Sequence, residues 1–550
     1  MFCFQCEQTA KQTGCTSFGV CGKDPETAVL QDLVVHVCKG LSQIAHKARQ
    51  YGIVDHDADV YILEGLFTTV TNVNFDQETI APLVQKGVAI RESLKARLED
   101  AAEKLNNPKP AFNGPSSYQP AKEIDDLVRQ GEAINLLNRR EELGEDVVGL
   151  QELALYGLKG MAAYADHAMV LGVEDDAIYA FFHEALTYLA NKPTDINDLT
   201  AFVLRVGEKN LRVMEMLDEA NTGAYGHPEP TKIRVTPVKG KAILVSGHDL
   251  KDLKLLLEQT EGKGVNVYTH GEMLPALAYP ELKKYPHLVG NYGGAWQDQR
   301  KEFDAFPGAI LMTTNCIQKP KNSYKGRIFT SGLVQWPDVE HINDGNFNPV
   351  IEAALEAGGF EEDAEPAYTM TGFGHNAVMG VADKVVEAVK SGDIRHFFLI
   401  GGCDGAKSGR NYYTEMAEAT PDDTVIMTLA CGKFRFNKMD FGEVAGLPRM
   451  LDMGQCNDAY SAIKVAGALS EAFGVDVNEL PLSLVLSWYE QKAVCILLTL
   501  LHLGMTNIRL GPTLPAFVTP AIGKVLNETF GLQPIGEVED DLQTMLRAPA

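Results

Sequence analysis

The sequence predicts a mixed α and α/β fold: an N-terminal all-helical domain of helical bundles, followed by two doubly wound α/β domains with parallel sheets. Three observations predict it. From about residue 28 to 222, apolar residues recur at helical spacing and strand-like alternation is almost absent. The stretch Thr222-Gly-Ala-Tyr-Gly-His-Pro-Glu-Pro-Thr231 then breaks the pattern with glycine and proline. Beyond it, short apolar runs alternate with helical patterns, as in sheets wound by crossover helices.

The first helix is expected over 29–51, where Leu30, Leu33, Val34, Val37, Leu41 and Ile44 share one face and Gly52 stops the run. Further helices are expected over 76–105, 120–138, 147–171, 175–191 and 196–220, packed as bundles. Pro108, Pro110, Gly114 and Pro115 mark 106–119 as loop. Strands are expected at 242–246, 265–269, 309–313, 396–400, 424–429 and 508–510. The helices between them fall at 249–260, 349–357, 377–391, 458–473 and 484–503. A boundary at the acidic stretch 358–366 divides the chain into 1–222, 223–360 and 361–550.

A length of 550 residues suits three or four domains, and 45% hydrophobic with 22% charged residues is ordinary for a globular protein. Lys and Arg number 49 against 74 Asp and Glu, a formal charge of −25. That field argues against nucleic acid and anionic membranes as partners, and it would attract a basic redox partner. The start, MFCFQCEQTAKQTGC, lacks the basic and apolar regions of a signal peptide. The longest apolar run, 493–505, is too short for a membrane span. A cytoplasmic, monomeric protein is therefore expected. Thiols stay reduced there, so ten cysteines point to metal or catalysis rather than disulfides.

Four of them, Cys3, Cys6, Cys15 and Cys21, crowd into the first 21 residues. The Cys-x2-Cys turn aims two thiolates at one centre, and Gly14, Gly19 and Gly22 supply the tight backbone. Such a set suits an iron–sulfur cluster or a structural zinc, and the single spacing of the last two favours the cluster. Cys38 and Cys495 lie inside apolar helical stretches and read as packing residues, as does His36.

The second half places chemistry where open α/β sheets bind ligands, beyond the carboxyl ends of strands. Successive expected strands are followed by His248, Glu272, Cys316, Cys403 and Cys431. Cys456 precedes Asn457-Asp458 and a helix, a position that favours thiolate. One cysteine at a strand end is usually a small buried hydrophobe; the repetition argues for a site. Glu490 and Lys492 are the formal charges of the apolar stretch 484–503. Read as residues of one helix they point apart, which makes Glu490 a metal ligand and Lys492 a nearby charge partner or proton donor. Thiolates with carboxylates and imidazole suit a cluster that keeps an open iron face. The Gly372-Phe-Gly-His-Asn-Ala377 segment lacks the strand and acidic residue of a dinucleotide site and reads as a turn lining the central site.

The chain closely resembles the hybrid-cluster (prismane) proteins over essentially its whole length. The resemblance rests on MFCFQCEQTAKQTGC with the following CGK, and on SGHDLKD, YTHGEMLPA, GNYGGAW, TTNC, GGCDG, DMGQCND, WYEQKAV and RLGPTLPAF. It implies Rossmann-like α/β domains and a full-length helical domain. It implies a [4Fe-4S] cluster on Cys3, Cys6, Cys15 and Cys21. It also implies an iron–sulfur–oxygen hybrid cluster of the [4Fe-2O-2S] type at the domain junction. The hybrid cluster's ligands would be His248, Glu272, Cys316, Cys403, Cys431, Cys456 and Glu490, with a persulfide on Cys403. The implied activity is reduction of small nitrogen-oxide substrates, hydroxylamine to ammonia and nitric oxide to nitrous oxide. Electrons would come from a protein donor, a reductase or a ferredoxin-like carrier. The alternatives are a nitric-oxide or redox sensor, a protein S-nitrosylase, and a nickel–iron enzyme of the carbon monoxide dehydrogenase type.

Overall fold

A computed structural model describes residues 1–547. Its N-terminal region holds eight α-helices: α1 (Pro25–Arg49), α2 (His56–Thr68), α3 (Gln77–Lys104), α4 (Ile124–Glu132), α5 (Leu136–Leu143), α6 (Glu145–Met169), α7 (Asp176–Ala190) and α8 (Ile196–Tyr225). Aspartates fix where many of them begin. Asp24, Asp55, Asp76, Asp175 and Asp195 each accept a hydrogen bond from a first-turn N–H of α1, α2, α3, α7 and α8. Such a cap is worth about 1 kcal/mol. The single helix expected over 120–138 is two helices, because Asn135 caps a fresh start by accepting from the N–H of Leu137. The α2 helix had no separate expectation.

Two six-stranded sheets follow, and every pair within them is parallel. In chain order the first contains Lys241–Ser246, Val265–His270, Leu288–Asn291, Ala309–Met312, Ile328–Ser331 and Glu340–Ile342. The second contains His396–Gly402, Thr424–Thr428, Met450–Asp452, Leu482–Ser487, Arg509–Gly511 and Gln533–Pro534. Counted within each sheet, both run in the spatial order 3-2-1-4-5-6. That order puts a topological switch point between the first and fourth strands, where ligand crevices form. A short antiparallel pair, Thr231–Arg234 with Tyr368–Thr371, ties together the segments that lead into the two sheets.

The expected helix over 484–503 is corrected here. Leu482–Ser487 is the fourth strand of the second sheet, and the helix begins only at Gln491, running to His502. Glu490 is therefore not a mid-helix residue. It is the N-cap, and its carboxylate accepts from the N–H of Lys492 at 2.9 Å. The helix Gln491–His502 is pressed into the helical region. A Cβ at Gly160 of α6 would collide with the Gln491 carbonyl, and one at Gly207 of α8 with the Leu498 carbonyl. Glycine at both positions lets three helices meet backbone to backbone, which fixes where Glu490 and Lys492 stand. The expected helix 377–391 is likewise two, His375–Met379 and Ala382–Ser391.

Among the described residues no helix is long and apolar enough to cross a membrane.

Candidate metal centres

The N-terminal thiols are brought together by a small antiparallel bridge. Cys3 and Cys15 exchange backbone hydrogen bonds, N–H to carbonyl, at 3.0 and 2.8 Å. The Cys15 sulfur accepts from the N–H of Ala10 at 3.4 Å. Burial pushes the Cys6 thiol well up, and the neighbouring Cys21, Cys3 and Cys15 push it further. Burial raises Cys3 as well, partly offset by the Lys23 ammonium. Cys3 and Cys21 are partly exposed, whereas Cys6 and Cys15 are buried.

The second set converges from both sheets. In the first sheet, strands 1, 2 and 4 end at His248, Glu272 and Cys316; in the second, strands 1, 2 and 4 end at Cys403, Cys431 and Glu490. Each sheet thus delivers three donors at its switch point, and Cys456 follows strand 3 of the second sheet. His248 Nε2 lies 3.9 Å from Glu272 Oε2, and the Cys456 N–H donates to that same oxygen at 2.8 Å. His248, Glu272 and Cys456 place one ligand atom each within 4.8 Å of one another. The remaining donors face the same space. Glu490 and Glu272 both act electrostatically on Cys316, Cys403 and Cys456.

Lys492 stands among them. Its Nζ lies 3.1 Å from His248 Nε2, 2.9 Å from Asn315 Oδ1 and 4.0 Å from Glu490 Oε1. Burial alone would lower its pKa, but Cys456, Glu490, Cys316 and Glu272 outweigh burial and hold the ammonium charged. Thr314 Oγ1 sits 2.8 Å from His248 Nδ1 and accepts the His248 backbone N–H at 2.9 Å. An Nδ1–H donating to Thr314 leaves the Nε2 lone pair facing inward. Burial, Lys492 and His167 hold this imidazole far below its usual pKa, hence neutral and fit to ligate.

The expectation that the helix N-terminus would favour the Cys456 thiolate is corrected. Burial dominates and pushes this thiol well above its ordinary value. Cys316 and Cys431 are raised in the same way, and Cys403 to about 12. His248, Glu272 and Cys456 stand together, Cys316, Cys403 and Cys431 gather around Trp296 and Tyr489, and Glu272 Oε1 has no hydrogen-bond partner. Buried thiols are stable as neutral groups, and bound cations would draw off their protons and set positive charge among the donors. The donor set therefore fits a multi-iron centre. The backbone is also strained here: Cys316 has φ +78°, and Ala430, before Cys431, has φ +63° and ψ −164°. Such strain gathers at functional sites.

Residues 488–491 join the two sets. The Glu7 N–H donates to the Tyr489 carbonyl at 2.9 Å, and the Gln491 side chain donates to the Gln5 carbonyl at 2.6 Å. Trp296 packs on Tyr489 with ring centres 4.5 Å apart, and the Tyr489 hydroxyl donates to Asn72 at 2.8 Å. Cys6 and Cys21 of the first set and Cys316 of the second all act electrostatically on Tyr489. Sequence reasoning passed over Tyr489, Trp296, Thr314 and Asn315. The signal lay in WYEQK and TTNC, whose polar and aromatic members flank the donors.

Other expectations resolve differently. Cys38 and Cys495 are fully buried in helices, as anticipated. His36 is not core: it lines a polar cavity beside Cys3, shared with Asp32, Lys39, Arg139, Glu152 and Lys159. The Gly372–Ala377 turn does not line the donor cluster. Its His375 turns instead to Ser461 and His227.

Residues 1–543 match the Prismane/CO dehydrogenase family. The chain is 57% identical over 546 residues to a hydroxylamine reductase of Syntrophobacter fumaroxidans, covering 99% of this chain and 100% of that protein. It is 54% identical over 546 residues to a hydroxylamine reductase of Methanocella arvoryzae, again covering 99% and 100%. Among solved structures, the fold is similar to a nickel-free carbon monoxide dehydrogenase of Thermococcus sp. AM4, with TM-score 0.55 and 16% identity over 99% of this chain and 90% of that one. Carbon monoxide dehydrogenase IV of Carboxydothermus hydrogenoformans gives 0.56 and 16% over 97% and 89%. By the full-length family match and the extent of identity, the chain belongs to the Prismane/CO dehydrogenase family.

Proposed function

We propose that the protein is an iron–sulfur oxidoreductase that reduces hydroxylamine to ammonia and water. The observation that carries the reading is the run of seven donors that follow strands of the two sheets, three of them, His248, Glu272 and Cys456, within 4.8 Å of one another, with Lys492 Nζ 3.1 Å from His248. Full-length identity of 54% to 57% to proteins named hydroxylamine reductase supports it over a carbon monoxide dehydrogenase, where identity is 16%. The alternatives of sensor and S-nitrosylase have no separate feature in their favour.

Cys3, Cys6, Cys15 and Cys21 would hold a [4Fe-4S] cluster. Four thiols with a single close Cys-x2-Cys pair suit the separate corners of a cluster better than one zinc. His248, Glu272, Cys316, Cys403, Cys431, Cys456 and Glu490 would hold the hybrid cluster, with Cys403 as the position for a persulfide. When bound, these groups supply electrons and a Lewis-acidic iron face.

The chain's own residues do the rest. Thr314 fixes the His248 tautomer, and the N–H groups of Cys456 and Lys492 orient Glu272 and Glu490. Lys492 is the proton source: reduction consumes two electrons and two protons, and its Nζ carries protons beside His248 and Glu490. Asn315 holds that ammonium in place. Burial of Tyr489 and Trp296 keeps the path between the two sets dry. Nitric oxide, reduced in pairs to nitrous oxide and water, needs the same electrons and protons. Anaerobic competition between hydroxylamine and nitric oxide, with ammonia and nitrous oxide measured, tests the reading. Ammonia is expected; formation of neither product by the iron-loaded protein would reject it.

A further inference from the structure

The surface above Cys21 carries a charge opposite to that of the whole chain. An open groove of about 570 Å³ is lined by Val20, Cys21, Lys11, Arg300, Lys319 and Lys407, with Trp296 also facing it. No carboxylate lines it, although the chain holds 74 Asp and Glu against 49 Lys and Arg. Lys407 is held by the buried Glu7 at 3.0 Å. Lys11, Arg300 and Lys319 are exposed and, among the described residues, have no ion-pair or hydrogen-bond partner. The loop carrying Cys21 also exposes Phe18 at 56% and Val20 at 58%. An apolar contact ringed by free cations is the pattern of a transient protein-docking surface rather than of a solvated loop.

The groove also sits at an entrance. Cys21 is half-exposed there, and Trp296 faces the groove while packing on Tyr489, which adjoins Glu490. We propose that this groove docks a small acidic ferredoxin-like protein. That carrier would be oxidised by one electron, which passes to the group held by Cys3, Cys6, Cys15 and Cys21, with no bond made or broken. This proposal rests on reading those cysteines as an electron-carrying centre. It also reverses the expectation drawn from net charge, that the partner would be basic. At about 0.1 M salt the Debye length is about 10 Å. A docked partner then feels the local cations, while the distant acidic surface is screened.

The test is a binding titration of the iron-loaded full chain with an acidic plant-type [2Fe-2S] ferredoxin, across salt concentrations. Binding to the unmodified protein should weaken steadily from about 0.1 to 0.5 M salt. Affinity that strengthens with salt over that range would overturn the proposal without any variant. The triple variant Lys11→Glu, Arg300→Glu, Lys319→Glu should lose at least tenfold in affinity and in the rate of reduction by ferredoxin. Its turnover with reduced methyl viologen should be unchanged. Unchanged ferredoxin affinity in the triple variant would also overturn the proposal. Salt-sensitive ferredoxin binding without hydroxylamine turnover would leave the docking surface standing and reject the functional reading alone.

Discussion

The Lys492 ammonium lies 3.1 Å from Nε2 of His248, with both side chains buried. Nδ1 of the ring is engaged by Thr314, so the inward nitrogen is the acceptor, and the ammonium occupies the place where positive charge is needed. The ammonium also donates to Asn315 Oδ1 at 2.9 Å, a contact that would hold it in place with iron bound.

Lys492→Met should retain iron but lower hydroxylamine turnover by about 10²-fold or more, the usual worth of a positioned proton donor. Lys492→Arg should restore part of it. Iron analysis with anaerobic kinetics checks both, and equal turnover by the Met variant would reduce Lys492 to a space-filling role.

Glu490→Ala removes one carboxylate of the distributed set and the cap of the helix Gln491–His502. The N-terminal cluster should still assemble, visible as an unchanged low-temperature electron paramagnetic resonance signal on reduction, while hydroxylamine turnover is abolished. Near-normal turnover would remove Glu490 from the site.

Gly207→Val places a branched side chain against the Leu498 carbonyl. Overpacking of this kind costs about 1–3 kcal/mol, and the contact is with backbone that cannot rotate away. Thermal unfolding of the iron-loaded variant should show the loss, together with reduced turnover as the helix carrying Lys492 is displaced.

Asp166, buried in α6, has its pKa raised to about 8 by burial, then by Glu64 and Asp249. A carboxyl raised above its unfolded value of 3.8 contributes most to stability below that value, and the contribution is lost as pH rises through about 8. Asp166→Asn should therefore be more stable than the unmodified protein by an amount that grows between pH 5 and 8, to a few kcal/mol. It should level off above that. Chemical denaturation across this range is the measurement, and a constant difference would contradict the assignment.

Much of the fold was legible in the sequence because its central strands are buried on both faces. Runs such as 242–246 and 396–400 are too short for a helix and end at glycine. The edge strands Leu288–Asn291 and Glu340–Ile342 are short and partly polar, and periodicity does not reveal them. The strand Leu482–Ser487 was hidden differently. Its apolar run continues into the helix Gln491–His502, and a buried strand and a buried helix share the same composition. That error put Glu490 inside a helix, although it follows a strand end like His248, Glu272, Cys316, Cys403 and Cys431. The donors were legible because reactive residues recur after strands. Tyr489 over Trp296 was not, since nothing in one dimension brings residue 296 beside residue 489. The Cys456 thiol was misjudged because burial, which outweighs the helix end, is a property of packing.

The donors that follow the strands of the two sheets are proposed to hold the centre that reduces hydroxylamine. The most direct measurement is ammonia formed per electron pair supplied by reduced viologen, anaerobically, with the iron-loaded protein and its Glu490→Ala variant side by side. One ammonia per electron pair is expected from the unmodified protein and none above background from the variant. Full iron loading without ammonia, or equal ammonia from both proteins, would contradict it.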